Sequence, residues 1–478
     1  MKTFNAGTGS SWRYNLMPAA CVIFALWVVA AILSNRCLYS DGAYNYLKVL
    51  QAQGFVPLMR SRHCAFYIYE IPLVLAIKLG VTNPAWLRLA FGLGRFLPWP
   101  MVLLGCHWIS PKHFWLVLVG CAAGYLNVAF AADATHNLAH ALFWPPLFAI
   151  LFARPLKPLA AVMLLFSAVA MLYSYESQLF LSLPLALLAL WRSWREKQEG
   201  HRVWVVFLTA VALFLAVASI GLCGILIPEI PVGLIGFKAG TLAMMRHMGW
   251  TLTWTMIWAG LVLIVVFSET VRLIISHKVA IGLLLAGLMI WGFWPLLQPD
   301  QLDTGIQYNN RALDLLVPMA LLPAALILRF RPQWVEPQRG YLVQLTAGLL
   351  MAQSLWQISA TASWYANVVR LQAILGANRG IIPLRSTVLA ATGMEGRELR
   401  VDVIGGRFDW TWPCLSVALA PSSQIKSLIC SEVFMDPTIR RHCWQPFDPF
   451  NPGTLPRLEH YGIDFKGYTA ALRESNVK

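Results

Sequence analysis

Three carboxylates, Asp41, Asp133 and Glu176, stand beside long apolar runs, and two cations, Arg246 and Arg311, stand in the same kind of place. An ionisable side chain at the edge of an apolar run sits where lipid headgroups meet water, and residues of that kind are functional candidates by default. A carboxylate there can take a proton from an attacking hydroxyl. A guanidinium there can hold a phosphate through paired, charge-assisted hydrogen bonds. Arg60, Arg62 and His63 form one small cationic stretch, Arg246 and His247 another, and Tyr308 lies one turn before Arg311. In ADATHN, Asp133 is followed by His136 and then His140, all on one helical face. Such a face is also a candidate for a divalent cation, so metal dependence stays open while no other cofactor is implied.

Each residue has a structural role open to it as well. Asp41 precedes an amphipathic segment and fits the N-cap of a helix, and Asp133 fits the same position for the run after it. Arg311 and Asp314 are one turn apart and suit a helix-end ion pair. Glu176 can simply reach water at a span mouth. What gives these residues joint meaning is the set of elements that must hold them.

Of the 478 residues, 58% are hydrophobic and only 12% charged, against about 25% charged in soluble proteins. Apolar runs long enough to cross a bilayer recur from Pro18 to Ala360, so the chain reads as an integral membrane protein. The first run, Pro18 to Leu33, follows Lys2 and Arg13 without a small-residue cleavage site, and reads as an uncleaved first helix. The formal charge of +15 is concentrated in short loops between spans, which the positive-inside bias explains without a nucleic-acid partner. Cys21, Cys106, Cys121 and Cys223 lie inside apolar runs and act as small hydrophobes. Two of Cys414, Cys430 and Cys443 can pair if the tail is oxidised. None of the thirteen asparagines lies in an N-x-[ST] sequon, which favours a bacterial membrane over a secretory-pathway one.

The most basic loop, WRSWREKQEGHR (191–202), fixes the cytoplasmic side. Alternation then puts 110–113, 153–157, 268–278 and 329–339 on that side. The loops 132–137, 174–178, 228–249 and 298–311, and everything after Ala360, fall on the other. Setting the first loop aside, inside segments carry 14 Lys and Arg, and the short outside loops carry three, Lys238, Arg246 and Arg311. The alternation closes only if residues 66–80, about 15 residues with Glu70 and Lys78, do not cross. The first external loop then runs from about Leu38 to Leu89 with two helices lying on the membrane surface. In the first of them, Ala43, Tyr46, Leu47 and Leu50 share a face with Asn45 and Lys48 opposite, and Gly54 is expected to end it. The loop's basic residues, Lys48, Arg60, Arg62, Lys78 and Arg88, run against the positive-inside trend, which recognition of a lipid phosphate rationalises.

The expected fold is therefore an all-α polytopic membrane protein of about eleven transmembrane helices (residues 1–360), with surface helices in a long first external loop. A small external C-terminal α/β domain (361–478) follows, opening with the helix ASWYANVVRLQAILGANRG and continuing with strands in ELRVDVIGG and SLICSEVF. On this layout Asp41, Asp133, Glu176, Arg246 and Arg311 all lie at span ends on one side. A polyprenyl-phosphate sugar suits that arrangement: an apolar groove for the isoprenoid, cations for the phosphate and a carboxylate for the acceptor's proton.

With these features in place the chain resembles the GT-C superfamily of integral-membrane glycosyltransferases, which use polyprenyl-phosphate-linked sugars. The resemblance is carried by the first span followed by SDGAYNYL, the long first external loop, the acidic second external loop ADATH and the external C-terminal domain. It covers the whole chain in topology and about twenty residues in motif. It implies Asp41 as general base, Asp133 as a second carboxylate near the acceptor and Arg311 on the donor phosphate. Glu176, Arg60, Arg62, Arg246, His247, His136 and Tyr308 complete the expected binding surface. The partners implied are a polyprenyl-phosphate-linked sugar, membrane lipid, and a glycan, lipid or protein acceptor. The expected location is a bacterial inner membrane, with the N-terminus cytoplasmic and the C-terminal domain periplasmic or extracellular.

Two other classes compete. A transporter or flippase for a lipid-linked or small polar substrate would use broken helices and inverted repeats near the midplane. Pro145, Pro146 and Pro184 lie inside spans, but the acidic residues sit at span ends. A non-enzymatic assembly or polysaccharide-binding protein would make the C-terminal domain the active part.

Overall fold

The computed structural model describes residues 16–39, 41–56, 62–127, 135–175, 178–226, 305–389, 412–430 and 447–476. Helix dominates them. The helices are α1 (Leu16–Leu33), α2 (Asp41–Ala52), α3 (His63–Lys78), α4 (Pro84–Phe96), α5 (Pro98–Ile109), α6 (Phe114–Ala123), α7 (Thr135–Phe152), α8 (Pro158–Met171), α9 (Gln178–Gln198), α10 (Trp204–Leu226), α11 (Gly305–Phe330) and α12 (Arg339–Ala377). The C-terminal region adds β1 (Gly380–Pro383), α13 (Trp412–Ala418), β2 (Ser427–Cys430) and α14 (Lys466–Asn476).

Local chemistry sets many of these boundaries. Asn83 caps α4, its side chain accepting from Ala85 N at 2.8 Å, with Pro84 pre-set for the first turn. Proline also opens α5 and α8. Helix α9 ends in Gly200 at φ 76°, a conformation other residues avoid, and the reversal lets His201 N donate back to Glu196 O.

Among the described residues two helices are long and apolar enough to cross a membrane, Leu16–Leu33 and the Trp204–Cys223 part of α10. The pair α4 and α5, bent by 43°, makes a third if it forms one span. The expected count of eleven draws on shorter or more polar helices and on residues 227–304, which lie outside the described residues. Large apolar side chains nevertheless line the outer surface in helical ridges: Val22, Leu26, Val29 and Leu33 on α1, and Leu187, Leu190 and Trp194 on α9. Helix α7, by contrast, is buried on every side through Leu151 and forms the centre of the bundle.

The loops that the charge count assigns to one side do meet. Lys112 Nζ lies 3.0 Å from Glu336, Arg192 Nη2 donates to Ala153 O, the His113 ring stacks on Phe152 at 4.0 Å, and Trp191 packs edge-on against Phe330. The C-terminal ends of α5, α7, α9 and α11 therefore share one face with the start of α12. At the opposite face Gln357 donates to Leu126 O, Trp364 Nε1 to Ser34 O, and Gln178 to Ala139 O. Both ends of α3 are tied to that second face. Cys64 N donates to Tyr173 O after α8, and Tyr46 of α2 donates to Pro84 O just beyond the turn that ends α3. Its outward ridge of Tyr67, Ile71, Leu75 and Leu79 is apolar and exposed.

Three local expectations change. Helix α2 keeps only part of its polar face to water: Lys48 stays half-buried, but Asn45 and Val49 are as buried as Ala43, Tyr46, Leu47 and Leu50. The C-terminal region covers it, with Arg88 donating to Ala418 O and Tyr461 to Leu50 O. Its end is marked by Gln53 in the left-handed region (φ 51°), one residue before Gly54. Finally, the change of composition at Thr361 is no break in the backbone, because α12 runs unbroken from Arg339 to Ala377. Beyond it β1 pairs in parallel with β2, Gly380 opposite Ser427 and Pro383 opposite Cys430. Strand β2 is the start of SLICSEVF, β1 was not foreseen, and ELRVDVIGG lies outside the described residues.

Candidate functional site

Residues from two loops and from the first turn of α7 converge at the face where α3 begins. Arg62 stands just ahead of α3, and its guanidinium lies 4.5 Å over the ring of Tyr175, from the loop before α9. The ring of His136, in the first turn of α7, is 5.7 Å from the same tyrosine. His63 leans on Tyr67 and Tyr173, and the Cys64 N–H to Tyr173 O bond fixes this junction through the backbone. A cation over an aromatic face gains about 0.5–2 kcal/mol depending on desolvation. Arg62 is half-buried. A small apolar pocket, with room for about one water molecule, lies beside Tyr175, lined by Met171, Leu172, Tyr173, Val217 and Ile220 between α8 and α10.

This junction holds two of the expected residues, Arg62 and His136, and Glu176 follows Tyr175 directly in the chain. Glu176, Asp133, Arg60, Arg246 and His247 themselves lie outside the described residues. Asp41 is the first residue of α2, one place inside the helix and not ahead of it, and only its backbone is described. Tyr308 and Arg311 fall in the first two turns of α11, again as backbone.

The backbone leading to Asp41 is firmly held. Arg36 is buried, and its Nη1 donates to Gln357 O at 3.0 Å and to Thr361 Oγ1 at 2.7 Å, while Tyr39 packs edge-on against Trp364. These contacts pin the end of α1 to α12, so α2 starts from a rigid point. Their source on α12 is a buried polar stripe, Gln353, Gln357 and Thr361, repeating every fourth residue.

A second charged group went unassigned in the sequence. Glu70, 1% exposed, accepts from Val56 N at 2.8 Å and so ties the chain leaving α2 to the middle of α3. Burial pushes its carboxyl up to about 7, against the downward pull of the Val56 N–H and of Arg95. The Arg95 guanidinium lies 4.7 Å over Tyr69 and 4.8 Å over Phe91. Gly94 permits this crossing, since a Cβ there would meet Tyr69 O at 1.9 Å. In the sequence these residues are just one more Glu and one more Arg, because only the α3–α4 crossing brings them together.

The proposed metal face divides. His136 meets Tyr175, whereas His140, fully buried, is wedged between Trp99 at 5.0 Å and Trp144 at 6.1 Å. Another set, Glu196, Glu199 and His201, offers ligand atoms within 4.8 Å of one another. Both carboxylates there are already neutralised, Glu196 by Arg192 at 2.5 Å and Glu199 by Arg195 at 3.0 Å, which weakens their call on a cation. That set also lies on the face opposite Arg62. Comparison of the chain with protein-family models, with curated proteins and with solved structures gives no match.

Proposed function

We propose that this protein is an integral-membrane glycosyltransferase of the GT-C type, moving a sugar from a polyprenyl-phosphate donor to an acceptor hydroxyl outside a bacterial inner membrane. The observation that carries the reading is the meeting of Arg62, His136 and Tyr175, from three places in the chain that the alternation of spans puts on one side. In this reading the chain crosses eleven times, its N-terminus is cytoplasmic, and α3 lies along the outer leaflet. The tethering of both ends of α3 to one face supports that placement.

The donor's phosphate rests on Arg62 and Arg311, with the isoprenoid running out into the bilayer. The acceptor oxygen attacks the anomeric carbon as the bond from that carbon to the phosphate oxygen breaks. The hydroxyl proton passes to Asp41, and polyprenyl phosphate leaves with the electron pair, its charge held by the arginines. Asp133 and Glu176 flank the acceptor. The cell-envelope acceptor is a glycan, a lipid or a protein. No step in this scheme requires a metal.

A flippase reading draws on the buried polar stripe of α12, which would suit a polar substrate crossing the bundle. The decisive experiment offers the purified protein a panel of polyprenyl-phosphate sugars with a mixed acceptor fraction, with and without a chelator. Release of polyprenyl phosphate together with a glycosylated product supports transfer. Movement of intact donor across proteoliposomes, without release, establishes the flippase in its place. Asp41→Asn should lower turnover by about 10²–10⁴-fold while the protein remains monodisperse; wild-type turnover in that variant would remove Asp41 as base.

A further inference from the structure

The face where α5, α7, α9 and α11 end carries charges that sugar transfer does not use. Arg192 is 1% exposed, and its Nη2 is shared between Ala153 O and Glu196. Its Nε and Nη1 are buried without a hydrogen-bond partner, and so is Nε of Arg329. Arg154 adjoins Ala153, and Arg329 adjoins Phe330, which packs on Trp191 at 5.1 Å, so three arginines from three elements are neighbours. Among the described residues Glu196 and Glu199 are engaged by Arg192, Arg195 and His201. Neither Arg154 nor Arg329 has an acidic partner among them. Burial together with Arg154, Arg192 and Arg195 holds the Arg329 guanidinium down to about 10, and Glu199 offsets them only in part. On the outward face of α9, opposite Arg192, Leu187, Leu190 and Trp194 form an exposed apolar ridge, with Phe330, next to Arg329 in the chain, exposed and packed on Trp191 beside it.

Buried donors lacking an acceptor, surplus positive charge and a flanking apolar ridge together match one kind of molecule. We propose that Arg154 and Arg329 bind the phosphate of an anionic phospholipid in the adjoining leaflet, its acyl chains lying along Leu187, Leu190, Trp194 and Phe330, while the buried Arg192 adds positive charge behind them. The inference rests on membrane insertion and not on the transfer reaction, so it stands or falls separately from the catalytic reading.

The full-length protein in neutral detergent would be followed by thermal unfolding as phosphatidylglycerol, phosphatidylcholine with the same acyl chains, or inorganic phosphate is added. Phosphatidylglycerol should raise Tm in a saturable way, and the other two should not. In the double variant Arg154→Gln, Arg329→Gln the apparent Kd for phosphatidylglycerol should weaken by about fivefold per arginine removed. The exposed Arg154→Gln alone carries the same test if the double variant fails to fold. An equal response to phosphatidylcholine, a shift reproduced by inorganic phosphate alone, or unchanged affinity in the variants would each overturn the proposal.

Discussion

Arg62 and Glu70 sit eight residues apart in the chain and differ in what their surroundings ask of them. Arg62 lies over Tyr175 with its planar group, a geometry that a lysine ammonium reproduces poorly. Arg62→Lys should raise KM for the donor severalfold with little change in KM for the acceptor, measured in the transfer assay; a rise confined to the acceptor would move Arg62 off the phosphate. Glu70 concerns pH. Its folded pKa of about 7 lies above the ordinary value of 4.5, so its contribution to stability is fully present below about pH 4.5 and is lost as pH rises through 7. The shift corresponds to at most about 3 kcal/mol. His113 works in the opposite sense, because burial and the nearby Lys112 and Arg339 lower it to about 4. Its contribution is present above pH 6.5 and lost as pH falls toward 4. Comparing wild type with Glu70→Gln isolates the carboxylate: the variant should lose the decline in Tm between pH 5 and 8, while its amide oxygen still accepts from Val56 N. A decline of the same size in both proteins would assign it elsewhere.

At the scale of the element, α3 is the helix on which the topology turns. Its 16 residues include Pro72, and its exposed ridge is apolar from Tyr67 to Leu79. Composition alone allows a short span or a surface helix. The tethers at Cys64 and Pro84 favour the second, as does the loop closed by Val56 and Glu70. In a background with the other reactive cysteines removed, Lys78→Cys should react with a membrane-impermeant maleimide from the same side as a cysteine placed in the C-terminal region. Labelling from opposite sides would separate the acidic span ends and dissolve the proposed site. Helix α2 was legible as amphipathic, but the burial of Asn45 and Val49 was not, because periodicity identifies an apolar face without saying what covers the other one.

Over the whole molecule, the C-terminal region acts as a cover for α2 and the start of α4. Arg88 donates to Ala418 O, Tyr461 to Leu50 O, and Gln372 of α12 to Leu419 O. A neutral hydrogen bond of this kind contributes roughly 1 kcal/mol, and one from a charged donor such as Arg88 about 1.5–3 kcal/mol. Tyr461→Phe combined with Arg88→Ala should therefore loosen the cover, seen as faster limited proteolysis between residues 53 and 62 with Tm nearly unchanged; an unaltered cleavage rate would mean that the cover is held elsewhere. Composition by itself determined that the chain is helical and associates with a membrane, because 58% apolar residues in long runs leave no other way to satisfy the backbone. Charge in the loops sorted their ends, and the meeting of Lys112 with Glu336 and of Arg192 with Ala153 agrees with that sorting, since the positive-inside bias acts on short local segments. The grouping of Arg62, His136 and Tyr175, the crossing that stacks Arg95 on Tyr69, and the burial of α2 were decided only by tertiary structure. Each depends on side chains far apart in the chain meeting where helices cross or end, and no local period or spacing records which helix will be the neighbour.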